Sequence, residues 1–399
     1  MVKQICALTL TVAAIAGGHV AAALDRTRLY PHSWYLAFDG LYFLLAGQLV
    51  LIAFFLVRKE QAIWRSALSR ACMAVASLCL FVATLDLGIM AFCCDTSGLG
   101  GNQCFTHNNW YKRFARSNQL GYWERDLAPF LEPPKPGREL VIAAVGDSWT
   151  WGQGVHGKQY RFTNVLEADL QAKPSAPMAV LNFGRAGADT TEELTMLDDV
   201  AKVKPDIVLL CYLANDIDHY AKKSPLVVEV SACERWLILL SPTYNFLYWR
   251  VIAPQTDWTS RAVNEFGDGY FQAVCRAYRD PEMMEMHVKD LDALIARVRA
   301  IKATPVLVIL PFPSMWQDST ATDSTGGKRE LRDHVYAAIA KRAQEIGVPV
   351  IEAQGIEDEM TIREFSLTPM DAHPNEKVHR RIAQIIGSEL SKQNLLEPK

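Results

Sequence analysis

Apolar residues crowd the first quarter of the chain into three long runs, Ile5–Leu24, Leu36–Val57 and Cys72–Cys94. Each holds about 20 residues, enough to cross a hydrocarbon core of about 30 Å at about 1.5 Å per residue. Runs of this length, joined by short polar segments, predict membrane helices rather than buried helices of a soluble domain. The first also fits a cleavable secretory signal, because Lys3 precedes it and the small-residue tail "VAAAL" closes it. The joint between the second and third, "RKEQAIWRSALSR", carries Arg58, Lys59, Arg65 and Arg70. Basic joints stay cytoplasmic, so everything beyond about Cys94 is expected on the opposite side, whether the first run is a signal or a span. Trp34, Tyr35 and Trp64 fall near the expected interfaces, where aromatic anchors gather. Asp39 and Asp86 interrupt the runs. A carboxyl in lipid is costly, so each is expected to face a partner helix, a polar cavity or the headgroups, by pairing or by snorkelling.

From about Glu139 the rhythm changes to short apolar runs alternating with helical stretches. "ELVIAAV" (139–145), "MAVLNF" (178–183), "DIVLLCYL" (206–213), "TPVLVILP" (304–311) and "VPVIEA" (348–353) read as buried strands. Helical periodicity runs through "TEELTMLDDVAKV", "EMHVKDLDALIARVRAIKA" and "ELRDHVYAAIAKRAQEIG", and a last helix covers about Glu376–Lys392. Continuous β-rich runs separated by helices predict a five-stranded parallel sheet covered on both faces. With right-handed crossovers this is a three-layer α/β/α domain of flavodoxin-like type. The expected organisation is a membrane region over 1–95, a juxtamembrane segment and linker over 96–138, and the α/β domain over 139–399. "LEPPKPGRE" (131–139) is the Pro-rich joint. An insertion at about 219–282 breaks the rhythm. Its Leu226–Pro254 part is apolar and aromatic, but Ser241, Pro242 and Asn245 interrupt it. It reads as a cover over the site or a segment resting on the membrane surface, with a fourth span as the poorer alternative.

Charge and cysteine content narrow the function classes. A formal net charge of -3 over 399 residues, with no basic cluster in the soluble part, excludes a nucleic-acid partner. The nine cysteines lack the close regular spacing of a disulfide scaffold or a zinc site. Outside the cytoplasm Cys93, Cys94, Cys104, Cys211, Cys233 and Cys275 would be oxidisable. Cys93 or Cys94 with Cys104, and Cys233 with Cys275, are candidate bridges; Cys211 reads as a reduced core-strand residue. His156 and His219 have no ligand spacing, and Asp216, Asp218 and His219 make a poor metal set. No cofactor and no metal are implied.

In an open parallel sheet, ligands bind where the strands end at their C-terminal edge. Strand one is followed by Gly146-Asp147-Ser148, strand two by "NFGRAGADT" with Gly184 and Gly187, and strand three by Asn215-Asp216. Strand five is followed by "MDAHPNEKVH", with Asp371 and His373 before the last helix. Gly146 reads as the residue that permits a tight turn. Ser148 then stands at a helix start, either beside orphan N–H groups or as an ordinary N-cap. The four blocks, in this order, resemble the SGNH (GDSL-type) hydrolase family over roughly Glu139–Asn394.

The resemblance implies a serine nucleophile at Ser148, with His373 as its base and Asp371 orienting the imidazole. It implies an oxyanion hole from the Ser148 N–H, the Gly187 N–H and the Asn215 side chain, Gly184 serving the turn. The family usually spaces its acid and base Asp-x-x-His, whereas this chain has Asp-x-His. That departure leaves a main-chain carbonyl or Asp358 open as the orienting group; His379 is the lesser alternative as base. Trp149 and Trp151 either wall an acyl or sugar pocket or pack into the core.

The expected function is a membrane-anchored serine esterase, multi-pass in a bacterial inner membrane with its domain in the periplasm. It would remove acyl groups, acetyl most simply, from an envelope glycan or lipid through an acyl-serine. An acyltransferase to an envelope polysaccharide would use the same triad. A third class is a non-catalytic glycan-binding or scaffolding subunit, partnered with another membrane protein through the spans.

Overall fold

The structure, a computed structural model, describes residues 2–24, 32–58, 63–96, 105–131, 140–172, 177–221, 227–228, 231, 234, 238, 241–255, 262–263, 270–314 and 327–397. The side chains of Trp34 and Tyr35, together with Cys104, Cys233 and the Pro-rich joint 132–139, lie outside the described residues. The two candidate disulfides therefore also lie outside them. The chain divides into two units, Met1–Trp110 with Val228–Arg261, and Tyr111–Val227 with Ala262–Lys399. Two boundaries differ from those expected. The apolar insertion belongs to the unit of N-terminal helices, and the juxtamembrane stretch from Tyr111 belongs to the α/β unit.

In the first unit, α1 (Val2–Leu24), α2 (His32–Arg58) and α3 (Ile63–Phe92) are the long helices. Leu36–Val57 and Ile63–Phe92 are each long and apolar enough to cross a membrane, and α1 carries a shorter apolar stretch, Cys6–Gly17. Helix α3 starts well before Cys72, so Trp64, Arg65 and Arg70 lie on its first turns and the polar joint is shorter than expected. "IWRSALSRACMAV" contains no glycine or proline, so nothing in it stops the helix. Helices α2 and α3 pack on each other through small residues. Ala46, Ala53, Ala76 and Ala83 are buried, whereas Phe54, Leu78 and Phe81 point outward. Small residues let two helices approach closely.

Asp86 does not snorkel. It is fully buried, and its Oδ1 accepts from the backbone N–H (3.0 Å) and hydroxyl (2.5 Å) of Thr243 in the insertion. Asp39 on α2 is equally enclosed and within electrostatic reach of Asp86.

The second unit holds a five-stranded parallel sheet: β1 (Leu140–Gly146), β2 (Met178–Gly184), β3 (Ile207–Tyr212), β4 (Thr304–Ile309) and β5 (Val350–Glu352). Their order is β2-β1-β3-β4-β5. The central strands have no exposed face; Ile142–Val145 and Val208–Leu209 are at 0 %. That is why they read as unbroken apolar runs instead of alternating ones.

Helices α4 (Ser148–Trp151), α5 (Phe162–Gln171), α6 (Thr190–Val200), α7 (Pro281–Ala300), α8 (Gly327–Glu345) and α9 (Glu376–Lys392) supply the crossovers and the outer layers. Helix α5 packs on α9, and α6 on α7. Local sequence sets their starts: an Asp189/Glu192 capping box opens α6, Asp280 with Pro281 opens α7, and Asn375 caps α9. A short antiparallel pair, β6 (Ser366–Thr368) and β7 (Asp371–Pro374), precedes α9.

The chain moves from β1 to β2 on one side, then returns past β1 to β3 on the other. The switch point therefore lies between the C-terminal ends of β1 and β3, where an α/β sheet of this type opens its crevice.

Candidate active site

Ser148 leaves the end of β1 on a single turn of helix, α4, that lies across the strand ends. Two glycines make that possible, for a reason other than turn conformation. A Cβ on Gly146 would meet Thr150 Oγ1 at 2.2 Å, and one on Gly184 would meet the Trp151 backbone nitrogen at 2.2 Å. Neither has a positive φ. The block-one glycine and Gly184 are thus required for close approach of α4 to β1 and β2. Asp147, not Ser148, is the N-cap: its Oδ1 accepts from Trp149 N–H at 2.9 Å, which frees the Ser148 hydroxyl for another partner.

That partner is His373, whose Nε2 lies 2.9 Å from Ser148 Oγ. On the other side of the ring, His373 Nδ1 lies 2.5 Å from Asp371 Oδ1. A Nδ1–H donated to the carboxylate leaves Nε2 as acceptor for the serine O–H, the tautomer a general base needs. The short Asp-x-His spacing works because both residues sit on strand β7. Side chains two apart on a strand share a face. Asp371 Oδ1 also accepts the His373 backbone N–H at 3.0 Å, which fixes the pair.

The alternative orienting and base groups lie elsewhere. Asp358 is half-exposed and paired with Arg332 at 3.2 Å. His379 is fully buried, stacks on Phe162 and accepts the first N–H of α5 through Nδ1 at 3.2 Å. It is a helix-capping group, held neutral by burial that pushes it down to about 3.

Gly187 lies in the β2–α6 loop at φ +76°, a backbone position that favours glycine, and it is exposed. Arg185 N–H donates to Gly146 O at 3.0 Å and ties that loop to the end of β1. Asn215 follows β3 in a turn closed by Leu213 N–H to Asp216 Oδ2 at 2.9 Å. Its Nδ2 donates to Asp147 Oδ2 at 3.3 Å, the same oxygen that Ser148 Oγ approaches at 3.3 Å. Asp147 therefore links the serine and the asparagine, a role that the sequence reading did not assign.

Trp149 and Trp151 are buried. Trp149 packs against Phe312, Phe365 and the back of the His373 ring, and Trp151 against Trp123 and Tyr111. Of the two roles open to them, these contacts are those of core packing. His156 is exposed beside Glu376, and His219 sits edge-on to Tyr220; neither joins the site.

Burial disfavours the imidazolium of His373, but Asp371 and, more weakly, Asp147 outweigh it and hold the ring above the ordinary histidine value. A reaction that needs neutral His373 should therefore lose activity on the acid side with an apparent pKa above about 6.5. Asp371→Asn should move that limb to lower pH. A pH profile of kcat/KM on a soluble ester checks both.

Behind the site lies a group of buried carboxyls that sequence reasoning missed. Glu193 on α6 is 2 % exposed, and burial, with Asp147, Asp189 and Glu192 nearby, raises it well above the carboxylate range. Asp216 is raised well above it by burial and by Glu193, Asp147 and Asp189. Burial also raises Asp147, opposed by Trp149 N–H, His373, Asn215 and Ser148. The signal was present: Glu193 occupies a helical stripe with Met196, Leu197 and Val200, an acid on an apolar face.

Because Glu193 binds its proton more tightly folded than unfolded, its contribution is complete below about pH 4.3 and is lost as pH rises through the folded value. Glu193→Gln should accordingly gain stability over the parent with rising pH, by up to about 1.4 kcal/mol per pH unit. Thermal melts at pH 5 and pH 8 check the sign.

The family model for the GDSL-like Lipase/Acylhydrolase family matches residues 144–381. A lipase, Lip_vut3 from a goat rumen metagenome, is 14% identical with a TM-score of 0.40, covering 63% of this chain and 97% of its own. A mutant of Axe2, an acetyl-xylooligosaccharide esterase from Geobacillus Stearmophilus, is 15% identical with a TM-score of 0.39, covering 64% of this chain and 96% of its own. The acetyl xylan esterase AlAXEase is 17% identical with a TM-score of 0.38, covering 62% and 98%. A search of curated proteins gave no significant match. With the family model spanning more than half of the chain, from the strand before Ser148 to the helix after His373, this protein belongs to the GDSL-like lipase/acylhydrolase family of SGNH hydrolases.

Proposed function

We propose that the protein is a membrane-anchored, extracytoplasmic serine esterase that removes short acyl groups, acetyl most simply, from an envelope glycan or lipid. The observation that carries this reading is the unbroken relay Asp371–His373–Ser148, with separations of 2.5 and 2.9 Å. Ser148 Oγ attacks the acyl carbonyl carbon as its proton passes to His373 Nε2, and Asp371 stabilises the imidazolium. The N–H groups of Ser148 and Gly187 and the Asn215 amide receive the oxyanion. Collapse breaks the bond to the alcohol oxygen, which takes the proton from His373 and leaves an acyl-Ser148. Water, deprotonated by the same histidine, then releases the acid and restores the serine. The two apolar helices α2 and α3 support multi-pass anchoring in a bacterial inner membrane. Arg65 and Arg70 on the first turns of α3 favour a cytoplasmic joint and a periplasmic domain.

Transfer of the acyl group to a sugar hydroxyl uses the same intermediate, with the acceptor in place of water. A non-catalytic scaffold, docked to another membrane protein through the spans, is disfavoured by the intact Ser148–His373 contact. Full-length protein in detergent, given a chromogenic acetyl ester with and without glycan acceptors, distinguishes the three. Acetate release in both conditions supports hydrolysis, and acetylated glycan at the expense of acetate supports transfer. No turnover by folded protein overturns both.

A further inference from the structure

The insertion in the first unit has two contrasting faces. Its described core is one continuous helical segment: Pro242–Leu247, capped by Ser241, a π-turn over Tyr248–Ile252, then Ala253–Gln255. Asn245, Tyr248, Trp249 and Ala253 are buried, whereas Leu247, Val251 and Ile252 are 45%, 50% and 38% exposed. The wide π-turn brings residues four and five positions apart onto one face, so these three side chains form a single apolar strip.

Polar contacts seat this segment against the C-terminal end of α3. Asp86 Oδ1 receives both the backbone N–H and the hydroxyl of Thr243. Phe246 packs on Met90. Arg250 bonds Asp95 through two nitrogens, its guanidinium lies over the Phe246 ring at 3.7 Å, and Thr106 joins the pair at 3.3 Å. Asp86 lies six residues before the end of α3 at Phe92, about 9 Å along a helix axis. The Asp95–Arg250 pair lies just beyond that end.

We infer that residues 241–255 form an interfacial membrane element, with the Leu247–Val251–Ile252 strip immersed in the acyl chains of the outer leaflet. This rests on the reading of α2 and α3 as spans. A segment anchored about 9 Å inside the end of a span, with its arginine salt bridge just outside it, has the depth of an interfacial helix, about 5–10 Å. Phe81 and Phe92 on α3 are apolar and exposed as well, at 64% and 80%. Asp86 thereby serves as a buried anchor that keeps this element in the leaflet, a use for an intramembrane carboxyl that needs no transport function.

The test is photocrosslinking in the full-length protein in phosphatidylethanolamine–phosphatidylglycerol nanodiscs. A benzophenone side chain replaces Leu247, Val251 or Ile252, with Phe81 as a lipid-facing control and exposed Lys341 as an aqueous one. Lipid adducts are expected at 247, 251, 252 and 81 and not at 341. Adducts at 81 without any at 247, 251 or 252, or adducts from these three to another protein, overturn the inference while the spans stand. Absence of adducts at 81 as well overturns the membrane reading beneath it. Thr243→Val, which removes one of the bonds to Asp86, should reduce adduct yield at 251 several-fold while leaving turnover of a soluble ester unchanged. An undiminished yield would remove Asp86 from the anchoring role.

Discussion

Ser148→Ala is expected to lower kcat/KM on a short-chain acyl ester by about four to six orders of magnitude, and His373→Ala by a similar factor. The reason is geometric. Ser148 Oγ lies 2.9 Å from His373 Nε2, nearer than the Asp147 carboxylate at 3.3 Å, and an unactivated serine is a weak nucleophile at neutral pH. The two groups act as a unit, so the double variant should be little worse than either single one. Independent, multiplying losses would mean that they serve separate steps. Folding should survive the serine change, because Asp147 holds the cap of α4 and the tight packing belongs to Gly146 and Gly184. Steady-state kinetics beside a thermal melt separate loss of chemistry from loss of fold.

Asp371→Asn is the second large effect, with an expected loss of about four orders of magnitude in kcat. An asparagine there can turn its amide nitrogen toward His373 Nδ1, which then presents the wrong tautomer to Ser148. The family spacing made this residue the doubtful member of the triad, and the strand geometry of β7 supports the proposed role. On an extended segment the one-residue spacer keeps Asp371 and His373 on one face, 2.5 Å apart, while the Asp371 carboxylate also holds the His373 backbone. Asp358→Asn, at the alternative acid, should change activity less than about twofold, since that carboxylate is held by Arg332 away from the site. A reversal of the two outcomes, read in the same ester assay, would move the orienting role.

Much of this architecture was legible because parallel strands buried on both faces are written as continuous apolar runs. The five expected strands fall within a few residues of those observed, and the blocks after them lie at the switch point. The predicted roles of Gly146 and the two tryptophans were less secure, because each depends on packing between elements distant in sequence. Gly146 is needed for clearance from Thr150, not for a left-handed turn. An indole beside a nucleophile reads the same in sequence whether it lines a cleft or, as Trp149 does, fills the space behind the base. The seat of the insertion was illegible for the same reason. Asp86 and Thr243 are 157 residues apart, and only the fold brings them together. Glu193 was legible in principle, as an acid on the apolar stripe of α6, but nothing local links it to Asp147.

The measurement closest to the centre of this mechanism is mass spectrometry of the intact, detergent-purified protein after treatment with a serine-reactive phosphonate. One adduct is expected, mapping to the peptide that contains Ser148. It should be absent from Ser148→Ala and greatly slowed in His373→Ala, whose base no longer removes the hydroxyl proton. Stable, folded protein that takes no label, or that takes it equally in the Ser148→Ala variant, would contradict the assignment of Ser148 as the activated nucleophile.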